Sequence, residues 1–287
     1  MTATATKMPK NKKKKKKNKS LRKGWRTAST SDIHELYELS VQEPEAEVDL
    51  TDQVWEEQRG RLATSIREDF CGTAIASMSW VKRRRANTAI AVDLSAEVMD
   101  WGKKKVAERL NASQAKQLTF VQDNVLTVET EPVDSVLAMN FSYFLFRTRK
   151  ELKHYFTRVH HALKDDGLFL LDAYGGSDSF LEMEEDRDLD GFTYIWDQAY
   201  YNPISGDVTN HIHFKFPDGT RIDKAFSYHW RLWTLPEIQE LLKEAGFRTV
   251  HVYWEGTDED GEGDNEWTIS TRGEACEGWI AYIVAGK

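Results

Sequence analysis

Gly72, in the run Arg67-Glu68-Asp69-Phe70-Cys71-Gly72-Thr73, lets the backbone pass close to a bound molecule, and a helix opening at Thr73 offers free N–H groups. Asp93 follows 21 residues later, and its carboxylate can accept from both hydroxyls of a ribose or cap the helix after Leu94. Asp123 and Asn124 can meet an adenine amino group and ring nitrogen, or form an ordinary turn. Each feature has a bland reading, yet all three fall after successive predicted strands at one sheet edge. Together they predict a nucleoside site.

A pyrophosphate-binding turn asks for G-x-G-x-x-G, but Phe70 precedes Gly72 by two positions and Ala74, Ile75 and Ala76 follow it. Nicotinamide and flavin dinucleotides are therefore disfavoured. Downstream, His211 and His213 alternate along one strand, where they could act as bases or ligands. No third ligand stands at a recognisable metal spacing, so no metal is expected. Tyr194, Trp196, Tyr228 and Trp233 belong to the same aromatic segment.

The elements that must position these residues read as an opening helix from Asp32, with Ser31 as its cap, followed by alternating strands and helices. Strands are predicted over 64–70, 88–93, 118–121, 133–139 and 167–174, with helices over 73–85, 96–110 and 150–163. This order predicts right-handed crossovers and a doubly wound α/β domain with a mostly parallel sheet. Three strand-like runs then interrupt it, at 192–201, 208–216 and 225–233, joined by turn-forming sequences. A helix capped by Thr234 and strands over 248–254 and 279–285 resume the pattern, with an acidic loop from Gly256 to Glu266. The divisions are a Lys-rich arm over 1–28, expected to be disordered, and a catalytic domain over 29–287 with an inserted antiparallel lid over 178–233.

Among 287 residues the formal net charge is -8, but residues 1–26 hold ten lysines and two arginines without an acid. Setting them aside leaves 27 basic residues against 47 acids, a net of about −20. The arm can meet nucleic acid or an anionic surface through residues 7–26, serve as a nuclear address in a eukaryote, or be a solvated tail. Two cysteines are too few for a disulfide framework, no apolar run spans a membrane, and no secretory leader is visible, which predicts a cytoplasmic protein. The sequence leaves the oligomeric state open.

Residues 60–174 resemble the class I S-adenosylmethionine-dependent methyltransferases, whose first motif is similar to D-x-G-x-G-T-G. Here Glu68-Asp69-Phe70-Cys71-Gly72-Thr73-Ala74 keeps the acid, the middle Gly and the Thr, while Phe70 and Ala74 replace glycines. The Arg-Glu-Asp-Phe-Cys-Gly-Thr wording also resembles a largely uncharacterised subgroup. The resemblance implies a Rossmann-like, seven-stranded sheet and S-adenosylmethionine as cofactor. Carried over by position, Glu68 approaches the methionine amino group, with Phe70, Cys71, Gly72 and Thr73 around it. Asp93 faces the ribose, with Leu94 also among the cofactor-binding residues, Asp123 and Asn124 face the adenine, and Asn140 and Phe141 border the methyl group. Asn140, Tyr143, His211 and Tyr228 are the catalytic candidates. The expected activity is methyl transfer to a small molecule at N, O or S. The alternative is a nucleic-acid-binding protein or RNA methyltransferase tethered by the arm.

Overall fold

Strand β1 (Ser65–Asp69) pairs in parallel with β2 (Thr88–Asp93) on one side and with β4 (Val133–Ala138) on the other, and β3 (Leu118–Gln122) extends the sheet beyond β2. The chain therefore runs in opposite directions across the sheet from β1, which opens a crevice at the carboxyl ends of β1 and β4. Every residue of β4 is buried, as a parallel strand covered on both faces requires. In this computed structural model, residues 25–258 and 263–287 are described. Most of the lysine arm and residues 259–262 of the acidic loop lie outside the described residues.

Strand β5 (Leu163–Gly175) runs parallel to β4, then pairs antiparallel with β12 (Trp279–Gly286), which pairs with β10 (Thr249–Thr257). The sheet has eight strands rather than seven, because β11 (Gly263–Ile269) turns part of the expected acidic loop into an edge strand against β10.

Helices α1 (Ile33–Ser40), α2 (Pro44–Arg59) and α3 (Ile75–Arg83) precede or follow β1. Asp32, not Ser31, caps α1 by accepting from the His34 and Glu35 N–H groups. The reading of the sequence missed α2, whose buried Val48, Leu50, Val54 and Trp55 are interleaved with acids that blur its apolar stripe. Those residues share a core with Met78 and Trp80 of α3 and Leu168 and Leu170 of β5. After β2 come α4 (Ala96–Arg109) and the short α5 (Ala112–Ala115). On the sheet's other face, Leu152, Tyr155, Phe156 and Val159 of α6 (Arg149–Ala162) pack with Ile238, Leu241 and Leu242 of α7 (Leu235–Glu244). Thr234 caps α7 as expected, in a reciprocal pair with Glu237.

The side chains of β1 alternate between these two cores. Ile66 and Glu68 face α2 and α3, whereas Arg67 and Asp69 form a fully buried bidentate pair at 2.8 and 3.0 Å, completed by the Tyr155 hydroxyl at 2.9 Å. Asp69 is thus committed to the core, which leaves Glu68 as the acid at the crevice.

The inserted sheet has four strands rather than three, in the order β6 (Met183–Leu189), β7 (Phe192–Tyr201), β8 (Asp207–Lys215) and β9 (Arg221–Arg231). The acidic Met183-Glu-Glu-Asp-Arg-Asp-Leu189 lacks an apolar alternation and becomes a strand by pairing with β7. Leu36 and Tyr37 of α1 pack on one face of this sheet with Ile212, Phe214 and Phe226. Helix α1 also reaches α4, through Glu38 to Arg109 at 2.9 and 2.7 Å and Asp32 to the Trp101 indole at 2.8 Å. It thereby joins the insert to the helix beside the crevice.

Candidate active site

Phe70, Gly72 and Ala74 take φ values of 58°, 52° and 59°, so the turn after β1 holds three left-handed residues in alternation. Only Gly72 is free of the side-chain penalty, which is about 1–2 kcal/mol for each of the others. The glycine geometry of the first motif is therefore kept where its glycines are replaced. Packing holds it: the Phe70 ring lies 5.5 Å from Tyr155 and 6.1 Å from Phe146, and Ala74 and Cys71 are fully buried. The turn is also tied to β2, with the Cys71 N–H donating to the Val92 carbonyl at 3.0 Å and the Gly72 N–H to Asp93 Oδ2 at 2.9 Å. Phe70 and Cys71 thus shape the turn from the core side.

A Cβ added to Gly72 would meet only Val98 Cγ2, at 3.9 Å, so the space in front of its backbone is open. The opposite holds at Gly102 in α4, where an added Cβ would stand 2.4 Å from the Thr73 carbonyl oxygen. Gly102→Ala is expected to weaken S-adenosylmethionine binding about tenfold by displacing Thr73, although alanine favours the helix itself by about 1 kcal/mol. Calorimetry alongside a thermal melt checks this. A variant that is more stable and binds normally would show that the turn gives way freely.

Asp93 accepts from Gly72 N through Oδ2 and from Ser95 N through Oδ1, at 2.9 and 2.8 Å, and its carboxylate retains lone pairs for a further donor. One oxygen serves the helix entrance and the other the turn. Leu94 beside it is 67% exposed, an apolar surface that a stacked ring can cover. Asp123 and Asn124 stand exposed at the end of β3, and the Asp123 N–H donates to the Asp93 carbonyl at 3.1 Å. Their side chains form local turns, Asp123 Oδ1 accepting from Asn124 N and Asn124 Oδ1 from Leu126 N. The structure thus brings Gly72, Asp93, Leu94, Asp123 and Asn124 to one edge.

The turn after β4 carries a second strained pair, Asn140 and Phe141, with φ of 59° and 57°. Asparagine tolerates that conformation, but phenylalanine rarely adopts it. Asp172 of β5 holds both, accepting from the Asn140 and Phe141 N–H groups at 2.8 Å each. Backbone strain fixed by a buried carboxylate marks this turn as a positioned element. The Asn140 side chain makes no hydrogen bond to a described residue. Sequence reading missed Asp172, whose place at the carboxyl end of an apolar strand was the available signal.

Buried acids converge at this crevice. Glu68 accepts from both the N–H and the hydroxyl of Ser77, in the first turn of α3. Burial pushes its carboxyl up to about 7 against these bonds, and Asp93 and Asp69 add repulsion. Asp172 is likewise pushed up to about 7 by burial. Glu47 of α2, pushed up to about 8 by burial, feels Glu68 and Asp172. The buried Thr73 hydroxyl has no hydrogen-bond partner among the described residues. A ligand carrying positive charge and polar groups fits such a crevice.

The insert turns one face toward this turn. Tyr228 and Trp230 lie 4.4 Å apart, Trp196 is 6.2 Å from Tyr228, and Trp230 meets Phe144 at 6.1 Å. Asn210 donates to the Tyr174 hydroxyl at 3.3 Å. His211 is on the other face, since its cross-strand partners are Asp197 and Ser227 and it bonds the Ser227 hydroxyl at 2.8 Å. His213 shares that face, 3.1 Å from Asp197 Oδ2, and its nitrogen and oxygens of Asp197 and Glu184 lie within 4.8 Å of one another. Tyr143 is fully buried, and its hydroxyl donates to the Asp172 carbonyl at 2.7 Å. Of the four catalytic candidates, the structure brings Asn140 and Tyr228 toward the crevice and leaves Tyr143 in the core and His211 behind the sheet. Two clefts of about 400 and 330 Å³ lie beside Trp254 and beside Arg84, away from these residues.

Residues 69–171 match the protein family described as a methyltransferase domain. The chain is similar to the Bacillus subtilis (strain 168) protein "Putative methyltransferase YqeM", at 24% identity over 207 residues, covering 68% of this chain and 78% of that one. Its fold is similar to that of an S-adenosylmethionine-dependent methyltransferase from Clostridium acetobutylicum ATCC 824, with a TM-score of 0.64, 17% identity and coverage of 88% and 97%. It is also similar to the fold of CalS10, an amino pentose methyltransferase from Micromonospora echinaspora solved with S-adenosylmethionine bound, with a TM-score of 0.62, 13% identity and coverage of 89% and 97%. The match over 69–171 spans the turn after β1 and the ends of β2, β3 and β4, and with the α/β fold it marks this part of the chain as a methyltransferase domain.

Proposed function

We propose that this methyltransferase acts on a compact small molecule, at an amine nitrogen, held between the Asn140–Phe141 turn and the aromatic face of the insert. The observation that carries the reading is the meeting of buried acids with that face, for Glu47, Glu68 and Asp172 suit cationic groups and Trp196, Tyr228 and Trp230 suit a compact body. The similarity to CalS10, described as acting on an amino pentose, supports an amine acceptor.

S-adenosylmethionine, when bound, supplies a methyl group on a cationic sulfur. The open backbone at Gly72 gives it room, Asp93 offers acceptors for ribose hydroxyls, and Leu94 offers apolar cover for the base. Asp172 keeps the Asn140–Phe141 backbone in one conformation, and the Asn140 amide is free to orient an acceptor. In-line displacement gains most from positioning and exclusion of water, which the strained turn and aromatic face supply. No imidazole is needed at the crevice, since an amine that arrives deprotonated needs no base there. An RNA substrate would need a basic stripe, and this crevice is lined by acids.

Incubation of the full chain with methyl-labelled S-adenosylmethionine and separate pools of small amines, polyols and thiols, read by mass spectrometry, tests the proposal. Label is expected in the amine pool. Label confined to polyols or thiols would overturn the amine assignment, and label only in added RNA would overturn the small-molecule reading.

A further inference from the structure

We infer that Glu47 is a cofactor-binding residue that receives the ammonium group of the methionine moiety, making the first turn of α2 a wall of the cofactor site. The inference rests on S-adenosylmethionine being the cofactor. The sequence resemblance gives this role to Glu68, but both Ser77 bonds fall on one oxygen of Glu68 and fasten it to the start of α3. Glu47 has no such engagement. It is 7% exposed, and its carboxylate accepts no hydrogen bond from a described residue.

The charged groups acting on Glu47 are all acidic: Glu68 of β1, Asp172 of β5 and Glu43 just before α2. Tyr37 of α1 and Tyr282 of β12, opposite Asp172 in the sheet, share the same surroundings. No lysine or arginine is among them. An unpaired buried carboxylate that is repelled by others is costly unless protonated or matched by a cation. A second, separate sign of a ligand lies in the turn itself: the Thr73 hydroxyl is buried without a partner among the described residues, next in sequence to the open face of Gly72. Cofactor and crevice thus complement each other, a primary ammonium against an unpaired acid.

The experiment titrates the full chain, wild type and Glu47→Gln, with S-adenosylmethionine, S-adenosylhomocysteine and 5′-methylthioadenosine in a calorimeter. The first two carry the ammonium, and the third keeps only the nucleoside end. Glu47→Gln is expected to weaken the first two about tenfold or more and to leave the third within about twofold. Equal affinity of variant and wild type for S-adenosylhomocysteine, or equal loss for all three probes, would overturn the inference. Because Glu47 is pushed up to about 8, the wild-type preference for S-adenosylhomocysteine over 5′-methylthioadenosine is also expected to rise between about pH 6 and pH 8. A flat preference would overturn the inference without any variant. Failure of wild type to bind any of the three would instead remove the cofactor assignment on which it stands.

Discussion

Asp93→Ala is expected to lower affinity for S-adenosylmethionine by roughly 30- to 1000-fold, about 2–4 kcal/mol, the largest binding effect of any single substitution in the crevice. Two losses combine. The ribose hydroxyls lose a charged acceptor, and the Gly72 N–H, bonded to Oδ2 at 2.9 Å, is left to fix the turn without its anchor. Asp93→Asn separates them in part, because one amide oxygen can still accept from Gly72 or from ribose but offers no charge to either. Its affinity should fall between those of wild type and Asp93→Ala. Calorimetric titration measures both, with a thermal melt to confirm folding, and an unchanged affinity in Asp93→Ala would remove β2 from the cofactor site.

Asp172→Ala is expected to reduce turnover about 100-fold or more while changing cofactor affinity less than about tenfold. The carboxylate satisfies two buried backbone N–H groups at 2.8 Å each, and an unmet donor of this kind costs about 1–3 kcal/mol. Without those bonds the left-handed Asn140 and Phe141, φ 59° and 57°, keep only the packing of the Phe141 ring on Tyr174 and Phe144, at 4.8 and 6.1 Å, and the turn is expected to relax. Asn is no rescue, since an amide presents one acceptor oxygen and one donor to a pair of donors. Amide hydrogen exchange at residues 140 and 141 reads the same event without turnover and should accelerate. Normal exchange there, with normal turnover, would show that the turn is held by its own packing.

The common edge of Gly72, Asp93 and Asp123 was legible because it depends on short-range signals. Gly72, Asp93 and Asp123 each sit just past an apolar run, and the alternation of runs and helices fixes their common edge. Even the departures from the glycine pattern proved informative: Phe70 and Ala74 keep glycine-like φ values, held by burial that no local sequence rule records. What stayed hidden depends on tertiary partners. Helix α2 reads as an acidic stretch until Val54 and Trp55 find α3 and β5, so Glu47 gave no sign of being buried. Strand β6 reads as charged loop until β7 pairs with it. Alternation correctly put His211 and His213 on one face, but which face meets the crevice is decided by Leu36 and Tyr37 of α1 packing against the other. Asp172 looked like one residue near the end of an apolar strand, and its two backbone bonds come from a turn 32 and 31 positions earlier.

The acids at the crevice couple binding to pH. Glu47, Glu68 and Asp172 are pushed up to about 8, 7 and 7, so the folded chain without a ligand binds more protons than the unfolded chain. The stability they contribute is present below the ordinary carboxylate range and is lost as pH rises through about 7 to 8. A cation in the crevice reverses the shift and expels protons.

Titration of wild-type full-length protein with S-adenosylmethionine at neutral pH, in two buffers of different ionisation enthalpy and with a nicotinamide dinucleotide as control, therefore bears most directly on the central claim. One equivalent of S-adenosylmethionine should bind with release of protons, and the dinucleotide should not bind. Absence of S-adenosylmethionine binding, or a dinucleotide that binds in its place, would contradict the account.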